Sequence, residues 1–101
     1  MYRADWTKQA KRDYNDIKRA QLEPKFKEIL KVLCRDPYEP TPGHRLEKLI
    51  GYPKDTYSRR LDSKNRFIYE VLPNNENDTD RDGNPYQGIV KVISMWGHKY
   101  R

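Results

Sequence analysis

The chain carries a single cysteine, Cys34, so no disulfide can close within it. It has only two histidines, and one Cys with two His is too few at useful spacing for a zinc site. No phosphate-binding glycine loop of the P-loop or GxGxxG type occurs. No stretch approaches the ~20 apolar residues of a membrane span, and Met1-Tyr2-Arg3-Ala4-Asp5-Trp6 is not the apolar start of a secretion signal. The reading is a cytoplasmic protein. Apolar residues make up 35% of the 101, so the core must be small. A bound partner would then supply part of the stability by mass action.

What the chain has in quantity is positive charge and tyrosine. The net charge is +6 and the isoelectric point about 9.5. A surface of that sign suits phosphate backbones or an acidic protein partner, without choosing between them. Charged residues reach 36%, which alone would suggest disorder, but eight tyrosines, two tryptophans and regular apolar spacing argue for a folded domain over 1–101.

Tyr2 to Trp6 reads as a short strand. Thr7 offers a helix N-cap, and Ala10, Tyr14 and Ile17 follow at helical spacing, predicting a helix over 7–20. Pro24 suits the first turn of a second helix, whose stripe is Phe26, Ile29, Leu30 and Leu33 and whose end is Asp36-Pro37. Cys34 sits inside that pattern as a small core residue. Residues 37–45 hold three prolines and a glycine and form a stiff loop; Leu46 to Gly51 reads as a short turn. Tyr57 to Leu61, Arg66 to Leu72 and Gly88 to Trp96 read as strands. The expectation is an α+β fold: two N-terminal helices packed on a mostly antiparallel four-stranded sheet. A polar segment at 73–87 interrupts it as a long solvated loop. Its Asp78-Thr79-Asp80-Arg81-Asp82-Gly83 begins like a calcium loop, but the twelfth position is Ile89 rather than glutamate, so no metal is expected there.

The residues that carry chemistry lie in the second half: Glu47, Arg59, Arg60, Arg66, and His98, Lys99 and Tyr100 at the end. Metal-free RNA cleavage needs a base for the ribose 2′-hydroxyl, an acid for the departing 5′-oxygen, and cations for the phosphate. A carboxylate, an imidazole and two guanidiniums supply those roles, and arginine's planar fork matches phosphate. Each residue also has a plainer reading. Glu47 beside Lys48 fits an ordinary surface charge, and alternating arginines fit the solvent face of an antiparallel sheet.

The string Tyr57-Ser58-Arg59-Arg60-Leu61, followed by Asn65-Arg66-Phe67-Ile68-Tyr69-Glu70-Val71, resembles the "WSRRI…HRLVYAV" signature of the YoeB branch of the RelE toxin superfamily. Leu46-Glu47-Lys48-Leu49 resembles that family's "PEPLK" segment. Asp36-Pro37-Tyr38-Glu39 resembles its "TPFEG" loop, and Met95 to Tyr100 resembles its terminal "YHY". The resemblance implies a ribosome-dependent endoribonuclease of a type II toxin–antitoxin system. Such an enzyme cuts mRNA in the 70S ribosome A site, needs no cofactor, and is silenced by a cognate YefM/RelB-like antitoxin. A homodimer or a toxin–antitoxin hetero-oligomer is implied as well. Carried over by position, Glu47 is the base, His98 the acid, Arg66 the stabiliser of the transition-state phosphate, and Arg60 its helper. Lys48, Arg59 and Lys99 are implied RNA contacts.

Two departures stand out. The family ends in adjacent His-Tyr, whereas Lys99 here separates His98 from Tyr100; the tyrosine's role falls to Lys99 or Tyr100, and Tyr100 is favoured. The family's lysine after "PEPL" falls on Ile50, leaving Lys48 as its substitute. The alternative is a ParE-like toxin that binds DNA gyrase and cuts nothing, a role for which the Glu47, Arg66 and His98 set is unnecessary.

Overall fold

A computed structural model of the chain describes residues 1–97. Strand β1 (Tyr2–Trp6) leads into helix α1 (Lys8–Arg19) and helix α2 (Glu23–Arg35); strands β2 (Glu47–Lys48), β3 (Thr56–Arg60), β4 (Arg66–Leu72) and β5 (Gly88–Ser94) follow. They form one sheet in the order β1-β5-β4-β3-β2. Only the β1–β5 pair is parallel. The α+β expectation therefore holds, with one strand more than expected. The fifth is β2, placed where a turn was read. Two residues carry no strand pattern of their own, and β2 exists through its pairing of Glu47 with Ser58 and Lys48 with Tyr57.

Local chemistry starts and stops the helices. The Thr7 hydroxyl accepts the Ala10 amide at 3.0 Å, capping α1, and donates to the Ile93 carbonyl at 2.7 Å, which ties the helix start to β5. Pro24 stands in the first turn of α2, where no N–H is missed, and Asp36 turns extended before Pro37. Ala10, Ile17, Phe26, Ile29 and Leu33 bury against Phe67, Tyr69, Val71, Val90 and Val92 on one face of the sheet. Trp6, Tyr14, Phe26 and Phe67 continue across this core with successive ring centroids 5.2–5.9 Å apart. Cys34, expected in the core, is only half-buried, at the edge of the α2 stripe.

Segment 73–87 has more internal order than a solvated loop. Thr79 and Pro85 form a β-bridge. The Asn74 side chain donates to the carbonyls of Asp78 and Tyr86 and accepts the Asp78 amide, bracing the segment from inside. Asp80 accepts the amides of Asp82 and Asn84, and Asp78 pairs with Arg3. These carboxylates serve turn geometry. Among the described residues, no group of three His, Cys, Asp or Glu is placed to hold a metal ion. No helix among them is long and apolar enough to cross a membrane.

Candidate functional site

Side chains alternate across a strand, so those that do not face the helices share the sheet's other face. On β3 and β4 that second face carries Ser58, Arg60, Arg66 and Ile68, because Ser58 pairs with Ile68 and Arg60 with Arg66. Glu47 joins them by pairing with Ser58. Directly opposed residues share a face, which brings a carboxylate from the edge strand to two arginines from the centre.

The cluster is closely bonded. Arg66 donates through Nη2 to Glu47 Oε1 at 3.2 Å, to Ser58 Oγ at 2.8 Å and to the Arg45 carbonyl at 2.8 Å. Its Nε reaches Ser58 Oγ as well, at 3.3 Å. The Arg66 side chain is 14% exposed and that of Glu47 is 52% exposed, so the guanidinium sits at the floor and the carboxylate at the rim. Arg60 stands beside Arg66, its Nε donating to the Asp62 carbonyl at 3.3 Å. Such an arrangement offers a solvent-facing base and a pre-oriented guanidinium fork to an anion lying on the sheet.

Of the site residues read from the sequence, Glu47, Arg60 and Arg66 are brought together. Lys48 is not: it pairs with Tyr57 and so alternates away from Glu47. His98, Lys99 and Tyr100 lie outside the described residues. Arg59 requires a correction. Expected to contact RNA, it is fully buried. Its guanidinium donates to the carbonyls of Pro37 at 3.2 Å and Glu39 at 2.6 Å, to the Tyr69 hydroxyl at 3.1 Å and to His44 Nδ1 at 3.0 Å. Alternation carries it to the helix side, opposite Phe67, and the proline-rich loop supplies the carbonyls that make burial tolerable.

This interior arginine organises the loop that leads to Glu47. His44 accepts from Arg59 at Nδ1, so its proton is on Nε2, which donates to Glu28 Oε2 at 2.7 Å. The Glu28 carboxyl is held below its ordinary range, chiefly by that bond. Burial pushes the Tyr69 hydroxyl up to about 12, against the opposing hydrogen bond from Arg59. Tyr69 donates in turn to the Pro37 carbonyl at 2.6 Å. The loop thus meets β2 in a set position, and the Arg45 carbonyl is presented to Arg66.

Ser58, Asn65, Asp13 and His44 are buried polar residues that sequence reasoning did not single out. Only Ser58 left a signal: it stands two residues before Arg60 on a strand, hence on the same face. A depression of about 410 Å³ lined by Asp5, Trp6, Leu72 and Lys91 lies at β1, the opposite edge strand from β2. It shares no residue with the Glu47–Arg66 cluster.

No protein-family model and no curated protein matches the sequence. Solved structures do. A YoeB/ParE toxin from Agrobacterium tumefaciens superposes with a TM-score of 0.72 at 22% identity, covering 96% of this chain and 99% of that one. YoeB in the heterotetrameric YoeB–YefM toxin–antitoxin complex from Staphylococcus aureus gives 0.67 at 24% identity, covering 99% of both chains. The E. coli DinJ–YafQ toxin–antitoxin complex gives 0.69 at 13% identity, covering 96% of this chain and 92% of that chain. Over nearly its whole length, then, this chain has the fold of the YoeB and YafQ toxins.

Proposed function

We propose that the protein is the toxin of a type II toxin–antitoxin pair, an endoribonuclease that cuts mRNA on the ribosome without a metal. The observation that carries this reading is the Glu47–Arg66–Ser58 cluster on the sheet face away from the helices of a toxin-type fold. In the proposed reaction Glu47 takes the proton of a ribose 2′-hydroxyl, and the 2′-oxygen forms a bond to phosphorus. Charge gathers on the phosphate oxygens, where the Arg66 fork and the Arg60 guanidinium offset it. The bond from phosphorus to the 5′-oxygen breaks, and His98 protonates that oxygen. The products are a 2′,3′-cyclic phosphate and a 5′-hydroxyl.

The resting ion pair fits this sequence of events. Arg66 binds Glu47 until a phosphate arrives. The phosphate then competes for the same guanidinium, leaving the carboxylate free to act as a base. Ser58 and the Arg45 carbonyl hold the arginine meanwhile, so little reorganisation accompanies the exchange. A cognate antitoxin, of the kind in the YefM and DinJ complexes, would silence the toxin by presenting its own carboxylates to these arginines.

Expression of the wild-type chain should arrest translation and leave transcripts cut within coding regions. Purified Glu47→Ala, Arg66→Ala and His98→Ala variants should lose on the order of 10²–10⁴ in cleavage rate on programmed ribosomes. Variants that all cut like the wild type would overturn the assignment. Loss of gyrase supercoiling with ribosomes unaffected would instead establish a gyrase-binding toxin.

A further inference from the structure

Arg45 stands at the entrance to β2, beside the Glu47–Arg66 cluster, in backbone that arginine does not favour. Its φ is +48°, in the left-handed region. The pairing around it shows why the chain turns there. The register that sets Glu47 opposite Ser58, continued by two residues, would place Arg45 opposite Arg60. The Arg60 amide goes instead to the His44 carbonyl at 2.5 Å, and the Arg45 carbonyl accepts from Arg66 Nη2 at 2.8 Å. Two residues thus oppose one, as in a β-bulge whose left-handed position is ordinarily glycine.

The surroundings enforce this conformation. His44 is fully buried, its ring fixed between Arg59 and Glu28, and Leu46 packs against the core. The His44 and Arg45 carbonyls are each held by a donor. All of this is done by backbone at position 45, and glycine would adopt the same φ without a steric cost. The loop does use glycine at its other left-handed position, Gly43, with φ of +84°. The Arg45 side chain contributes nothing to the turn. It is exposed, and among the described residues its guanidinium has no hydrogen-bond or ion-pair partner. A backbone outlier that bears a side chain idle in the fold points to a use outside it.

We propose that Arg45 binds a phosphate of the RNA backbone next to the one received by Arg66. The proposal rests on the ribonuclease reading for the identity of the anion, while the idle guanidinium on enforced left-handed backbone stands on geometry alone. A nucleic-acid strand carries a charge at every nucleotide, so a phosphate held at Arg66 has neighbours along the strand. The Arg45 stem starts from a carbonyl already bonded to Arg66, and its planar fork, with all its donors uncommitted, matches a phosphate. Arg66 itself is engaged by Glu47 and Ser58 at rest, so Arg45 offers the approaching strand a cation that need not first be released.

The test measures affinity for ribosomes programmed with an mRNA that has a 2′-deoxynucleotide at the cut site, which supplies the phosphates but no attacking hydroxyl. Arg45→Asn removes the charge and substitutes a residue that tolerates left-handed backbone; Arg45→Lys keeps the charge. For Arg45→Asn the slope of log affinity against log salt should fall by about 0.7–0.9, the share of one phosphate contact, and Arg45→Lys should retain the wild-type slope. The unfolding midpoint of Arg45→Asn should equal or exceed that of the wild type. A wild-type slope for Arg45→Asn overturns the proposal, even where that variant has lost affinity for an acidic protein partner instead. An equal loss of slope in both variants places the effect in the backbone and overturns it as well, and a lowered midpoint does so by showing that the side chain serves the fold. A wild-type protein that cuts ordinary mRNA while Arg45→Asn keeps its slope refutes this contact alone; one that neither cuts mRNA nor binds these ribosomes refutes the ribonuclease reading.

Discussion

A guanidinium enclosed by protein is expensive to desolvate, and Arg59 is enclosed completely. Two loop carbonyls, a tyrosine hydroxyl and a neutral histidine answer its donors, and Glu28 supplies negative charge one step further out. Removing the arginine would strand those acceptors. Arg59→Ala should therefore lower unfolding free energy by about 3–5 kcal/mol, read from denaturant midpoints at unchanged slope. Arg59→Lys should recover little of it, because one ammonium cannot span the same fork of acceptors. Glu28 gives a pH prediction with a definite sign. The His44 bond depresses its folded pKa below the ordinary 4.5. The associated stability is complete above that value and is lost as pH falls through the lower, folded one. Acid unfolding of Glu28→Gln should lack this part of the slope; an unchanged slope would contradict the bond's role. The carboxylate is half exposed, so the effect is small.

Among the elements, the β4–β5 pairing begins where the backbones crowd. A Cβ added at Gly88 would meet the Leu72 carbonyl at 2.8 Å and the Tyr2 ring at 3.0 Å, and β1 pairs there too. Gly88→Ala should cost about 1–3 kcal/mol, measured by thermal or denaturant unfolding, with no change in the Glu47–Arg66 end of the sheet. The helices and the longer strands were legible in the sequence because each repeats its apolar residues at its own period. Strand β2 was not, since two exposed residues have no period and are ordered by their neighbour. Arg59 was misread although alternation alone puts it on the face opposite to Arg60. A buried arginine is credible only once the loop carbonyls that receive it are known, and those lie about 20 residues away in the chain. For the same reason Asn65 and Asp13 carried no signal: their partners are the Gly97 and Met95 amides, 32 and 82 residues distant. Of the site itself, Glu47, Arg60 and Arg66 were legible as chemical types, but only pairing across three strands makes them neighbours.

The molecule as a whole carries +6, and Arg60 and Arg66 lie side by side on the sheet face away from the helices. Binding to ribosomes programmed with mRNA should weaken as salt rises, because each phosphate neutralised by Lys or Arg releases counterions. Arg60→Ala should reduce the slope of log affinity against log salt by about one phosphate contact; an identical slope would remove Arg60 from the RNA interface. The central claim concerns how the phosphodiester bond is broken, and the ends of the cut RNA record it. Mapping the termini of mRNA cut on ribosomes by the wild-type protein tests it most directly. The account predicts 2′,3′-cyclic phosphate on one fragment and 5′-hydroxyl on the other, both absent with Glu47→Ala. Fragments ending in 5′-phosphate and 3′-hydroxyl would show attack by water instead of the 2′-oxygen, and would contradict it.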